Sequence, residues 1–99
     1  MIKIPASKIK QIINQPESEL DLHGLITKEA LVELDAFLIK AESLGWRKIR
    51  LIVGQGWNSP NYEPILKNFI TNKLKEYGYN YKFARLKQGG KGVVEVKLY

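Results

Sequence analysis

The sequence predicts an α/β (α+β) chain: a two-layer β-α-β-α-β-β sandwich with a four-stranded mixed sheet and two helices. Three observations predict it. Two segments repeat apolar residues at three- and four-residue steps, and each stops at a glycine. Short apolar or alternating runs lie before, between and after them, which is the pattern of strands alternating with helices. The last two runs are separated only by a glycine-rich turn, which favours an antiparallel pair.

The elements follow in chain order. Ser7 to Gln15 places Ile9, Ile12 and Ile13 at helical spacing, a short helix that needs a surface to dock on, and Pro16 ends it. Asn14 to Ser18 reads as a linker, so residues 1–18 are expected to form an extension and residues 19–99 a single domain. Leu20 to His23 alternates as a first strand, and Gly24 breaks it. Thr27 is the expected N-cap of the first helix, with Glu29 near its positive end. Ala30, Leu31, Leu34, Phe37, Leu38, Ala41 and Leu44 mark its apolar face, and Gly45 is its stop. Trp46 is expected to lie as a lid on the core. Lys48 to Val53 reads as a buried strand, followed by a glycine-rich polar loop. Ile65, Leu66, Phe69, Ile70 and Leu74 mark the second helix, with Pro64 in its first turn and Gly78 as its stop. Tyr79 to Leu86 and Val93 to Leu98 are the last two strands. Right-handed crossovers make the first three strands parallel.

The 99 residues suit one domain with one modest core, and 44% of them are hydrophobic. No cysteine is present, which excludes disulfides and thiolate metal sites. No apolar run approaches the roughly 18 residues of a membrane span. The basic N-terminus lacks the apolar stretch of a signal peptide, so a cytoplasmic monomer is expected. The formal charge is +6 and unevenly spread. Glu17 to Glu42 holds seven acids against Lys28 and Lys40, whereas eleven bases face three acids from Ser43 onward. A basic half points to a polyanion such as nucleic acid, although lysine also serves solubility. The acidic face of the first helix suits a protein contact instead.

Parallel strands joined by one helix end on the same sheet edge, where α/β folds bind ligands. Asp21, His23 and Gly24 close the first strand; Gly54, Gln55, Gly56 and Trp57 follow the second. On a strand, Asp21 and His23 share a face. A carboxylate there fixes the imidazole tautomer and raises its basicity for acid–base work, though such a pair also arises by chance and hydrogen-bonds only backbone. The glycine loop can bring amides to a phosphate beside a helix N-terminus; ordinary turns use glycine too, and Glu63 competes for the anion position. Trp57 either stacks on a base or folds back beside Tyr62. Tyr79, Tyr81, Phe83 and Arg85 share one strand face, a single-strand platform or, as favoured here, part of the core. Lys87 and Lys91 flank the glycine turn and can reach phosphates or simply face solvent. One histidine without cysteine makes structural zinc improbable, so no metal site is assigned; carboxylate-held Mg²⁺ or Mn²⁺ stays open.

Leu20-Asp21-Leu22-His23-Gly24 before an amphipathic helix resembles the opening motif of the Smr (small MutS-related) domain family. Val53-Gly54-Gln55-Gly56 stands where that family closes its second strand with a glycine motif. Gly89-Gly90-Lys91-Gly92 before Val94-Glu95-Val96 matches its glycine turn and last strand, so the resemblance spans about Leu20 to Leu98. It implies a fold like the C-terminal domain of bacterial translation initiation factor three, with strand order 1-2-4-3. It implies DNA or RNA binding, the ribosome included, and nicking or RNA-cleaving endonuclease activity in some members. It marks Asp21 and His23 as the catalytic pair, and Gly24, Gly54, Gln55 and Gly56 as phosphate-binding backbone. Trp57, Asn58, Ser59, Arg85, Lys87 and Lys91 are the expected nucleic-acid contacts. Many members carry a histidine where this chain has Val53, so a binding module without catalysis is the alternative.

Overall fold

The computed structural model describes residues 16–54, 65–84 and 92–98. The short helix expected over Ser7 to Gln15, and Pro64, lie outside the described residues. The elements are β1 (Ser18–Asp21), α1 (Thr27–Ser43), β2 (Lys48–Ile52), α2 (Ile65–Glu76), β3 (Asn80–Phe83) and β4 (Val93–Lys97). One mixed sheet has the order β1-β2-β4-β3. β1 and β2 are parallel, and β4 runs antiparallel to both of its neighbours, so β3 shares the direction of β1 and β2. The predicted architecture and strand directions are therefore present.

Register explains the layering. Ile49 faces Val96, Leu51 faces Val94, and Tyr81 faces Val96 across the ladder. These residues and Leu20 share one face, because successive side chains alternate. Ala30, Leu34, Leu38 and Ala41 of α1 pack against it with Ile70 and Leu74 of α2. Leu34, Ile49, Leu51, Ile70, Leu74, Val94 and Val96 are fully buried, and each such side chain contributes about 1.5–3 kcal/mol by leaving water. Trp46 does pack on this core as a lid, its ring 5.6 Å from that of Phe37. No helix among the described residues is long and apolar enough to cross a membrane.

Helix ends differ at the start and agree at the stop. Thr27 is the first helical residue rather than the cap; Ile26 holds that place without a side-chain cap, and Glu29 Oε1 instead accepts from the Ile26 N–H at 3.4 Å. Both predicted stops hold. Trp46 N–H bonds Ala41 O and Gly45 N–H bonds Glu42 O; Tyr79 N–H bonds Leu74 O and Gly78 N–H bonds Lys75 O. Each pair is the double bond of a Schellman ending, which satisfies carbonyls the helix leaves open.

β1 starts at Ser18, and the Glu17 carboxylate accepts the N–H groups of Arg47 and Lys48 at 2.9 and 2.8 Å. Slight desolvation pushes that carboxyl up, but these amides and the Arg47 charge outweigh it and hold its pKa below the ordinary value. On the flank of α1, Tyr77 Oη donates to Asp35 at 2.8 Å and Tyr79 Oη donates to Glu42. Burial, then the Glu42 hydrogen bond, push the Tyr79 hydroxyl up to about 12. Part of the acidic helix face thus serves the fold's own tyrosines.

The sheet face away from the helices is polar. Arg50, Glu95 and Lys82 lie side by side across β2, β4 and β3. Glu95 is only 5% exposed, and three cations surround its carboxylate: Arg50 Nη2 at 3.2 Å, Lys48 Nζ at 3.5 Å and Lys82 Nζ at 3.8 Å.

Candidate active site

The strand directions put the carboxyl ends of β1, β2 and β3, and the start of β4, on one sheet edge. Asp21 is the last residue of β1, opposite Ile52. His23 is not on the strand as expected. It lies in the turn after β1, closed by Leu25 N–H donating to Leu22 O at 3.2 Å. Gly24 occupies the third position of that turn with φ of 80°, the value a type II turn requires there. Strand alternation therefore does not bring Asp21 and His23 together; the turn does.

The pair makes two contacts to one oxygen. Asp21 Oδ1 accepts the His23 backbone N–H at 3.1 Å, and it also receives His23 Nδ1. The ring hydrogen bond, with the backbone one and the imidazole's charge, lowers the Asp21 pKa, and slight desolvation opposes it. Both side chains remain more than half exposed, so the pair faces solvent and not the core. With Nδ1 donating to Asp21, the neutral ring keeps its lone pair on Nε2, pointing away from the carboxylate. That arrangement can accept a proton from a reacting group and return it.

A titration checks this contact. The Asp21 carboxyl, followed by NMR, is expected to lose its proton below the ordinary aspartate value of 3.8. In H23A it is expected to return towards that value. The sign follows from the direction of the shift. A depressed carboxylate stabilises the fold at pH above its unfolded pKa, and that contribution disappears as pH falls through the folded one. An unchanged Asp21 titration in H23A would contradict the contact.

Gly54 joins the same site from the end of β2. Its φ is 71°, and a Cβ built on it would lie 3.7 Å from His23 Cβ. An alanine there meets only ordinary contact, so its penalty is backbone strain of about 1–2 kcal/mol. G54A is expected to lower the unfolding free energy by that amount in a urea titration. The Gly54 amide, expected at a phosphate, is hydrogen-bonded within the fold. Gly92 O accepts both the Val53 N–H at 2.9 Å and the Gly54 N–H at 3.0 Å. Gly54 therefore ties the end of β2 to Gly92, the residue before β4. Gly24 N–H, by contrast, has no hydrogen-bond partner among the described residues. Val53, at the place of the family histidine, is 4% exposed and belongs to the core.

Gln55, Gly56, Trp57, Asn58, Ser59, Arg85, Lys87 and Lys91 lie outside the described residues. Their segments attach at this edge, since residue 55 follows Gly54 and residues 85–91 join Ala84 to Gly92. Ala84 N–H bonds Val93 O at 2.9 Å, which fixes that end of the hairpin. The β3 aromatics divide. Tyr79 and Tyr81 pack against the core as expected, but Phe83 is 41% exposed. Two structural roles escaped the sequence reading. The Gly92 carbonyl is a backbone acceptor that no residue type announces. Glu95 left a faint signal, as the one acid in the run Val93 to Val96. Asp21 is the carboxylate beside His23, and no group of three or more metal-ligating side chains occurs among the described residues.

The Smr domain family model matches residues 20–99. Endonuclease MutS2 of Clostridium tetani (strain Massachusetts / E88) is 33% identical over 84 residues, covering 83% of this chain and 10% of that protein. The chain therefore spans only a small part of that relative's length. Among solved structures, the Smr domain of Thermus thermophilus MutS2 aligns with a TM-score of 0.72 and 33% identity, covering 83% of this chain and 98% of that one. YdaL, a stand-alone small MutS-related protein from Escherichia coli, aligns with a TM-score of 0.73 at 20% identity, covering 87% and 85%, a likeness of fold.

Proposed function

The chain belongs to the Smr domain family, and on that premise we propose that it binds DNA or RNA and cleaves phosphodiester bonds at the carboxyl edge of its sheet. The carrying observation is the Asp21–His23 pair, hydrogen-bonded through Nδ1 and open to solvent beside Gly54. In this reading His23 Nε2 takes a proton from the attacking hydroxyl, either of water or of an RNA 2′-carbon. The deprotonated oxygen bonds phosphorus as the bond from phosphorus to the leaving oxygen breaks, and the imidazolium gives its proton to that departing oxygen. Asp21 orients the ring and balances its charge while it is protonated. Gly24 N–H, with the basic residues attached at this edge, stabilises the phosphate.

One observation favours a second reading, in which the domain binds without cutting. The Val53 side chain is buried in the core, so β2 brings no ionisable group to the edge at that position. One experiment separates the two. The chain is incubated with supercoiled DNA, single strands and structured RNA, with and without Mg²⁺ or Mn²⁺, and its binding is measured across a salt series. Cleavage together with affinity that falls steeply with salt supports the first reading. Salt-dependent affinity without cleavage supports the second. Affinity that ignores salt overturns both.

A further inference from the structure

Phe83 ends β3 at the same edge as Asp21 and His23, yet it is 41% exposed. Tyr81, two residues before it, is packed against the core, and the rings meet edge to face at 6.3 Å. Burial therefore does not explain the Phe83 ring. A cation stands over it: Lys67, in the first turn of α2, places Nζ 4.9 Å from the ring centroid. Ile26, before α1, and Ile65, at the start of α2, are also exposed, at 63% and 48%. Both lie where the helices begin, on the side of the sheet where β1 and β2 end.

An aromatic ring paired with a mobile ammonium suits one ligand chemistry. A nucleobase stacks on the ring, and the ammonium moves from the ring to the adjoining phosphate. Only an unpaired base offers a free face, because a duplex already stacks its bases on one another. The sheet order sets the spacing. Three strand intervals separate β1 from β3, about 14 Å at ~4.8 Å each, within the reach of a few extended nucleotides.

We propose that Phe83 and Lys67 form a base-stacking subsite for single-stranded nucleic acid, a few nucleotides from the Asp21–His23 pair. The inference rests on the nucleic-acid reading above and narrows its substrate to strands with unpaired bases. Phe83 is the stacking surface, and Lys67 is the phosphate contact beside it. Lys67 sits on α2 and Phe83 on β3, so packing of the helix against the outer strand assembles the subsite.

The test measures anisotropy of fluorescein-labelled oligothymidine, free and paired with oligoadenine, on the whole 99-residue chain. F83A and F83L are expected to weaken single-strand binding by about ten-fold or more, with duplex binding changed by less than about two-fold. F83W is expected to restore it. K67A is expected to lower the magnitude of the single-strand salt slope by about one. F83L keeps an apolar side chain against Tyr81, and circular dichroism confirms that each variant is folded. Equal loss of single-strand and duplex binding in folded F83L overturns the subsite, and so does no loss at all. If the unaltered chain binds neither form, nor single-stranded or structured RNA, the nucleic-acid reading fails first and the subsite with it. If the chain binds both forms and F83L still matches it, the subsite alone fails.

Discussion

H23A is expected to lose cleavage by about 10²- to 10⁴-fold, the usual contribution of a positioned acid–base group, with nucleic-acid affinity nearly unchanged. The separation is the informative part. His23 stands exposed in a turn and buries no apolar surface of the core, so its removal leaves the fold in place. D21N retains much of the shape of the pair but removes the charge that balances the imidazolium. It is expected to fall between the unaltered chain and H23A. Both side chains are more than half exposed, so water substitutes for part of what the carboxylate does. Cleavage by H23A equal to that of the unaltered chain would remove this residue from the chemistry. A parallel loss of affinity would make it a binding residue instead.

The second large effect concerns stability. E95Q is expected to destabilise the fold by about 3 kcal/mol, the lower end for breaking a buried ion pair. In a domain this small, that lowers the melting temperature by about 12–24 °C. Glu95 is 5% exposed, and its carboxylate meets Arg50, Lys48 and Lys82. Glutamine keeps the shape but trades one acceptor oxygen for an NH₂ donor, and it leaves cations facing one another without their shared anion. The low end is chosen because the Arg50 and Lys48 side chains keep 19% and 16% exposure, and Lys82 keeps 66%. A double replacement, R50L with E95L, is expected to destabilise less than E95Q alone, since it removes a buried charge together with its partner. Thermal melts and urea titrations of the three variants check both statements. An E95Q melting within two or three degrees of the unaltered chain would show that solvent already screens the cluster.

Glu95 also shows where sequence pattern stops being informative. In Val93-Val94-Glu95-Val96-Lys97 it alternates outward from the core, which reads as an exposed position. Its burial follows from strand order. β4 sits between β2 and β3, and the register places Arg50 on one side and Lys82 on the other. Phe83 is the converse case. Alternation grouped it with Tyr79 and Tyr81, but β3 is an edge strand and its last residue stays 41% exposed, with the Lys67 side chain of α2 over its ring. The site divides in the same way. The residues of the Asp21–His23 pair were legible two positions apart, while the geometry that joins them belongs to the turn at Gly24. Gly54 of the second motif was legible as well. That the Gly54 amide bonds Gly92 was not, because its acceptor lies nearly forty residues further along the chain.

The sequence by itself determined the two helices, both glycine stops, the four strands and the sheet edge shared by Asp21, His23 and Gly54. Those depend on local periodicity, on backbone φ and on short connections, all of which are written in neighbouring residues. Tertiary structure decided what each exposed or polar group meets. It placed His23 in a turn against Asp21, tied Gly54 to β4, gathered three cations around Glu95 and left Phe83 uncovered beneath Lys67. The physical reason is distance in the chain: a side chain's burial, partner and pKa depend on residues brought to it by strand pairing, and no window of neighbours contains them.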